Sequence, residues 1–453
     1  MFASPGASVL RRANGIAVTT TDPRLRSWLP VPADSDFPIQ NLPYGAFERD
    51  ATVRIGIAIG DRIFDLAVAA DAGLFDAHVP EARRILGAAE LNPLLEAGPG
   101  AWRAVRARAS ELLAANDTVL HDARIAEGAF VSRPRARMRL PFAVRDFVDF
   151  YSSIEHARNV GRILRPGTEP LLPNWRYLPV GYHGRAGSVV AGGTAVARPC
   201  GQREIEPEVP RFGPTEALDF ELEIAFVTGE GPQRPATLRA SDARAAIFGV
   251  ALLNDWSARD VQAWEYRPLG PFLGKSFATT LGPWVVALEA LEPFRVAAPV
   301  QDPPPFAHLA THAYEAYDVA LEATLASAAM RARGEAALVV TRTNFRDAYW
   351  TMAQQLAHVA SNGARVRAGD LYGSGTLSGA APDSFGSLIE LTWNGARPLA
   401  LRGDERRFLE DGDEVVLRGR CTAPGATSIG FGETRGVIVP AVGYGATGAT
   451  STL

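Results

Sequence analysis

The chain has 453 residues, 47% of them hydrophobic and 21% charged, with a net charge of −4 and no basic run. That is ordinary globular composition, long enough for about three domains, and it argues against nucleic acid as the main partner. Cys200 and Cys421, the only cysteines, provide neither a disulfide framework nor a thiolate metal site, so a reducing, cytoplasmic setting is expected; no apolar run approaches the ~20 residues that span a bilayer.

Residues 1–21 carry Arg11, Arg12, several Ser and Thr, and no acidic side chain. They faintly resemble a transit peptide but lack its amphipathic pattern, and residues 1–30 are read as a poorly ordered extension. From 37 to 68 the pattern is β-like. Residues 53–61 alternate up to a Gly60-Asp61 turn and 63–67 resume, which predicts a hairpin. Residues 80–115 have helical periodicity. A turn-rich stretch at 134–141 closes this first domain, 31–141. It shows no chemistry; His121, Asp122 and Glu127 read as solvent-facing polar residues.

The second domain, 142–453, is the informative one. Asp149 and Tyr151 share a strand face, and His156 follows where the chain leaves that strand. Residues 165–185 are rich in Gly and Pro and carry Arg165, Tyr182 and His183, a loop held over a scaffold. Of the seven histidines, His156 is the one flanked by candidate ligands and a tyrosine. His183 is equally a plain turn residue, and His358 sits in mid-helix.

In residues 219–226, Asp-Phe-Glu-Leu-Glu-Ile-Ala-Phe, alternation puts Glu221 and Glu223 on one face and Phe220, Leu222 and Ile224 on the other. Taken alone, the pair reads as a solvated strand face. The next segment shifts the balance: 247–253 is a buried strand that ends in Asn254-Asp255-Trp256, a carboxylate at an apolar strand's mouth. Ser257-Ala-Arg-Asp260 then predicts a helix start with a capping-box-like pattern, and Arg259, Gln262 and Tyr266 fall on one helix face. The Gly/Pro-framed turn 270–277 carries Lys275, the single lysine of the chain. A lysine is a compact point charge that can sit against an anion or beside a metal. Lys275 is therefore a candidate functional cation, with a chance surface lysine as the alternative.

Further on, 293–311 is a Pro-rich surface connection, 314–325 and 338–341 are strands, and 346–361 is a helix stopped by Asn362-Gly363. Residues 370–376 form a Gly-rich turn whose N–H groups and Thr376 could hold an anionic or carbonyl oxygen. Residues 387–393 alternate as a strand, with Glu390 and Thr392 opposite Ile389, Leu391 and Trp393. Strands at 407–418 and 429–439 follow.

Asp149, Glu221, Glu223 and Asp255 are all oxygen donors, which suit Mg²⁺ or Ca²⁺ better than Zn²⁺. Such an ion can hold two substrate oxygens and stabilise an enolate. One histidine can act as general base if a carboxylate orients its other nitrogen. Lys275, Arg259 and Gln262 can stabilise an oxyanion. Together these residues allow metal-assisted hydrolysis with a carbanion-like leaving group.

The runs Asp149-Phe-Tyr-Ser-Ser-x-x-His156-Ala, Leu172-Pro-Asn-Trp-x-x-Leu-Pro-Val-Gly-Tyr-His-Gly-Arg185, Asn254-Asp-Trp-Ser-Ala-Arg-Asp260 and Trp264-Glu-Tyr-x-Pro-Leu-Gly-Pro-Phe-Leu-Gly-Lys-Ser-Phe277 resemble the fumarylacetoacetase family, full-length two-domain type. So do Leu42-Pro-Tyr-Gly45, Arg54-Ile-Gly-Ile-Ala-Ile-Gly60 and Phe408-Leu-Glu-Asp-Gly-Asp-Glu-Val415, and the match runs in order from about Phe37 to about Ala441. The resemblance implies a mainly β, α+β fold, with an SH3-like N-terminal barrel and a C-terminal β-sandwich roll, assembled as a homodimer. It implies hydrolysis of 4-fumarylacetoacetate to fumarate and acetoacetate, the last step of tyrosine and phenylalanine breakdown. By motif, Asp149, Glu221, Glu223 and Asp255 would hold Mg²⁺ or Ca²⁺, with Lys275 and Thr279 beside a second or alternative Mg²⁺ position. His156 would be the base and Glu390 its orienting carboxylate. Arg259, Gln262 and Lys275 would form the oxyanion site. Tyr151, Arg165, Tyr182, Gln262, Tyr266 and Thr376 would contact substrate. Ile154-Glu155 departs from the more polar residues expected before the histidine, which changes neither ligand nor base. Related acylpyruvate or β-diketone hydrolases and decarboxylases, and a non-catalytic carboxylate-binding β-domain, remain as alternatives.

Overall fold

The alternating run at 53–61 forms the strand Thr52–Ile59, and Gly60, at φ 53°, turns the chain into its antiparallel partner Arg62–Asp65. The hairpin before it, Tyr44–Arg49 into Thr52–Ile59, turns on Asp50 and Ala51, both at positive φ (49° and 60°). Positive φ at both central residues is what lets a two-residue turn match the twist of the strands. Phe130–Ser132 and Met138–Arg139 complete a five-stranded antiparallel sheet at its two edges. The helical stretch at 80–115 resolves into Ala82–Leu86 and Asn92–Leu113, the latter broken at Gly98 (φ 78°) ahead of Pro99, whose ring removes a helix hydrogen bond.

The computed structural model describes residues 9–443 apart from 14–15, 122, 233–235 and 312–313, so the readings of residues 1–8 and of Asp122 lie outside it. The extension expected through residue 30 is tied down from Thr20 onward. The Thr20 hydroxyl donates to Glu289 (2.8 Å), and the Trp28 indole donates to the Leu112 carbonyl (3.0 Å). Buried Arg106 donates to Thr20 Oγ1 and to the Gln40 and Asn41 carbonyls (3.1, 2.7 and 2.6 Å). A buried guanidinium must find such partners, and one of them, Thr20, comes from the segment read as loose.

The C-terminal part is built on an eight-stranded mixed sheet. Its order is Val189–Ala191, Thr279–Leu281, Ile247–Asp255, Leu222–Thr228, Leu371–Gly373, Phe147–Phe150 and Gly181–His183, with Val286–Ala287 also paired to Ile247–Asp255. A five-stranded sheet covers one face. Its order is Val196–Ala197, Ile429–Val439, Glu414–Cys421, Ala320–Ala326 and Leu338–Asn344. Leu222, Ile224, Phe226 and Leu252 pack with Leu321, Leu325, Leu417 and Phe431 between the sheets. Ala225, Val227, Ala251 and Leu253 join Tyr44, Ile57, Phe64 and Leu113 in the core shared with the N-terminal sheet. The long central sheet is thus buried on both faces. Each fully buried aliphatic or aromatic side chain in it contributes about 1.5–3 kcal/mol, which makes this sheet a stiff platform for side chains at its edge.

Several expected elements differ. The strand read at 314–325 is two, Ala316–Tyr317 and Ala320–Ala326, which pair in different sheets. The helix read at 346–361 is Met352–Ala360. It starts at a capping box, in which the Thr351 side chain accepts from Gln354 N–H and Gln354 answers to the Thr351 backbone. The strand read at 407–418 is Glu414–Cys421. Residues 387–393 form no strand, as described below.

Candidate active site

Neighbouring strands of the central sheet bring the acidic residues together. Gly373 is in register with Asp149 on one side and Ala225 on the other; Glu223 is opposite Leu253, and Asp255 is opposite Thr279. Asp149, Glu221, Glu223 and Asp255 are all buried, and one oxygen from each lies within 4.8 Å of the others. Gly373 is what opens the space between them. A Cβ there would stand 2.3 Å from Asp149 Oδ1 and 3.0 Å from Glu223 Oε2.

The cations are unevenly placed. Lys275 Nζ donates to Asp255 (2.9 Å) and to Glu221, and Arg259 donates to Glu221 (2.7 Å) and Asp219 (2.8 Å). Burial opposes ionisation of Glu221, but Lys275 and Arg259 outweigh it and hold the carboxyl well below its ordinary range. Burial also opposes the charge of Lys275, yet Asp255 and Glu221 raise its pKa above the usual lysine range. Asp149 and Glu223 lack such a partner. Burial, with the negative charge of Asp255 on Asp149 and of Asp149 on Glu223, pushes both carboxyls well up. The Gly375 N–H donates to both (3.2 and 3.1 Å), the two carboxyls also meet each other, and Glu223 Oε1 is buried without a partner. Five buried carboxylates, Asp219 included, face two fixed cations. An oxygen-only donor set with surplus negative charge and an orphaned oxygen fits a hard divalent cation.

Thr279 Oγ1 and the Tyr182 hydroxyl both donate to Asp255 (2.7 Å each). Beyond this cluster, the Nδ1 of His156 lies 2.6 Å from Glu390 Oε2. Burial opposes the charge of Glu390, but His156 and the donors Asn159 and Ser387 hold its carboxyl below the usual range. An ionised carboxylate has no proton to give, so Nδ1 carries the hydrogen and Nε2 is left as an acceptor. Asn159 Nδ2 (3.0 Å), Ser378 Oγ (2.9 Å) and Ser387 Oγ (2.8 Å) also donate to Glu390. His156 rides the helix Ile154–Leu164, whose Ser153 side chain caps it by accepting from the His156 N–H. The Tyr151 ring meets the imidazole edge-on at 5.2 Å. Burial, then the charge of Glu390, pushes its hydroxyl pKa up, so Tyr151 stays a donor.

Two sequence expectations are corrected here. Glu390 lies not on a strand but on the helical turn Leu388–Leu391, because buried Asp219 accepts from the N–H groups of Leu388 (2.6 Å) and Ile389 (3.1 Å). That is a cap supplied from 169 residues away, invisible to local alternation. Ser257 caps no helix either: Ser257–Ala258 pairs with Leu218–Asp219, and the helix Arg259–Glu265 begins after it. Asp260 instead accepts from Glu216 N–H (2.8 Å) and the Thr215 hydroxyl. Arg259 and Gln262 still share a face, Nη1 to Oε1 at 3.2 Å.

The Gly turn after Leu371–Gly373 spends its Gly375 N–H on the carboxylates rather than on a ligand oxygen. Thr376 Oγ1 and Arg165 Nε are buried without a partner, and Arg165 lies close enough to Tyr151 to lower its pKa in part. Tyr266, at the end of its helix, has its ring 5.1 Å from the Arg267 guanidinium and joins none of the hydrogen bonds of the carboxylate cluster. Asn159, Asp219, Ser378 and Ser387 were missed by the sequence reading. The spacing of Asn159 three residues after His156, on one helix face, was the one available signal.

Residues 146–439 match the family described as Fumarylacetoacetate (FAA) hydrolase C-terminal, and residues 40–141 match Fumarylacetoacetase N-terminal. Fumarylacetoacetase of Caenorhabditis elegans is 49% identical over 425 residues, covering 92% of this chain and 100% of that protein. The enzymes of that name from Arabidopsis thaliana and Homo sapiens are 46% and 45% identical, each covering 92% of this chain and 99% of its own length. A solved fumarylacetoacetate hydrolase from Exiguobacterium antarcticum shares the fold, with a TM-score of 0.51 at 16% identity over 88% of this chain and 99% of that one. With both halves matched and close relatives spanned almost end to end, the chain belongs to the fumarylacetoacetate hydrolase family.

Proposed function

We propose that this chain hydrolyses a carbon–carbon bond of 4-fumarylacetoacetate, giving fumarate and acetoacetate. The observation that carries it is the buried His156–Glu390 pair beside a four-carboxylate cluster, in a chain 43–49% identical to enzymes named fumarylacetoacetase.

Asp149, Glu221, Glu223 and Asp255 would hold Mg²⁺ or Ca²⁺, with Lys275 and Thr279 beside it; when bound, such an ion polarises the diketone oxygens. His156 Nε2 takes a proton from water, and the oxygen so activated bonds to the carbonyl carbon of the fumaryl group, which becomes a carboxylate of fumarate. Glu390 stabilises the imidazolium that forms. As the carbon–carbon bond breaks, its electron pair stays with the acetoacetate carbon, which takes the proton back from His156. Arg259, Gln262 and Lys275 stabilise the negative oxygen of the addition step. Tyr151, Arg165, Tyr182, Gln262, Tyr266 and Thr376 hold the substrate. The unpartnered Thr376 Oγ1 and Arg165 Nε support this part of the reading, since buried polar groups need partners.

The same reading has the chain act as a cytoplasmic homodimer. Its cysteines are free, and no helix among the described residues is long and apolar enough to cross a membrane. Leu269 and Phe272, three residues apart, are 96% and 69% exposed, apolar side chains suited to contact with a second copy. Sedimentation of the purified chain tests the dimer. Loss of the ultraviolet absorbance of fumarylacetoacetate tests the activity. Chelated protein should be inactive and Mg²⁺ or Ca²⁺ should restore it; full activity in metal-free protein, or none with any divalent ion, overturns the proposal.

A further inference from the structure

We infer that Asp219 is a positioning residue that locks the two halves of the site together; the inference rests on the activity proposed above. Asp219 is fully buried and lies on the short strand Leu218–Asp219. Its Oδ2 accepts from Arg259 Nε (2.8 Å) and Ile389 N–H (3.1 Å), and its Oδ1 accepts from Leu388 N–H (2.6 Å). One carboxylate therefore grips the arginine beside the carboxylate cluster and also caps the turn that carries Glu390.

The two grips have different consequences. Arg259 has its remaining nitrogens on Glu221 (2.7 Å) and Gln262 (3.2 Å), so its Nε contact with Asp219 sets the angle of the guanidinium plane. An arginine's donors form a rigid fork, so fixing one edge fixes the others. On the other side, a helical turn only four residues long leaves its first N–H groups without internal partners. A carboxylate accepting two of them holds the turn with charge-assisted bonds. Glu390 is the third residue of that turn, and its oxygens meet His156, Asn159, Ser378 and Ser387. Burial pushes the Asp219 carboxyl up, and Arg259 pulls it back towards the charged form. Asp219 touches neither His156 nor the inner face of the cluster, so it acts through Arg259 and Glu390.

Asp219→Asn is nearly isosteric but turns one oxygen into a donor, which then faces an N–H group of Arg259 or of the turn. The displaced pair should lower kcat by about 100-fold, the scale of an ångström-sized misplacement, with KM within threefold of wild type. Asp219→Glu keeps the charge and should recover at least tenfold of that loss. In a Glu390→Gln background the Asp219→Asn change should cost less than tenfold more, since residues acting as a unit are not additive. If Asp219→Asn does not fold, the cycle is run with Asp219→Ser, which also removes the carboxylate, and that variant is judged in its place. Wild-type turnover of fumarylacetoacetate is measured first, so failure of the activity itself is seen separately. With active wild type, a kcat within threefold for the Asp219 variant, or full additivity with Glu390→Gln, overturns the role.

Discussion

Gly373→Ala should abolish metal binding while leaving the fold intact. Gly373 sits in a strand with no left-handed φ, so its backbone accepts alanine without strain. The obstacle is space. The added Cβ would lie 2.3 Å from Asp149 Oδ1, 3.0 Å from Glu223 Oε2 and 3.1 Å from Leu253 Cδ2. Ordinary contact needs about 3.4 Å or more, so the Asp149 carboxylate must retreat by about 1 Å. Asp149 is 2% exposed and held by the Gly375 N–H, so a retreat also stretches that bond. Metal–oxygen distances tolerate about 0.2 Å, so a shift of that size removes one ligand and strains a second. The expected result is at least a 100-fold weaker Mg²⁺ or Ca²⁺ affinity by calorimetry, with a parallel fall in kcat/KM. Overpacking of this kind costs about 1–3 kcal/mol of stability, which a thermal melt of the chelated protein would register as a few degrees. Metal affinity within threefold of wild type would refute the claim that Gly373 keeps the carboxylate cluster open.

Lys275→Arg should lower kcat/KM by about 100-fold although charge is kept, because a guanidinium cannot sit between Glu221 and Asp255 as the compact ammonium does; activity within threefold would make the lone lysine an accident of composition. Glu390→Gln should reduce kcat much more than it changes KM, since the amide no longer stabilises a charged His156; an unchanged kcat with a raised KM would reassign Glu390 to binding. Asp370 should penalise the fold at neutral pH, because burial pushes its carboxyl up to about 6. The folded state then holds a proton that the unfolded state releases near its ordinary pKa, so stability falls as pH rises from about 4 to about 6 and the penalty persists above that. Asp370→Asn should flatten this slope and gain on the order of 2 kcal/mol at pH 7; urea midpoints between pH 4 and 7 with an unchanged slope would refute it.

Much of the site was legible along the chain. Strand alternation alone put Glu221 and Glu223 on one side of a strand, and an apolar run ending in Asp255 marked a carboxylate at a buried edge. The single lysine singled out Lys275, and Arg259 and Gln262 share a helix face as their spacing requires. These features are local: they depend on the two-residue period of a strand, the 3.6-residue period of a helix, and composition. The strand pairing that sets Asp149 beside Gly373, and so beside Glu223, is not local, because no periodicity specifies which strand lies next to which. The clearest case is Glu390. Its segment alternates like a strand, yet Asp219, far away in sequence, accepts the N–H groups of Leu388 and Ile389 and bends the chain into a turn. The sequence by itself determined which residue types are candidates for the chemistry and the periods of most elements around them. Only the tertiary structure decided that Glu390 faces His156, that Gly375 serves the carboxylates, and that Thr20 is pinned by Arg106. Buried charges and unpaired backbone groups take whichever partner the packed chain brings within hydrogen-bonding reach.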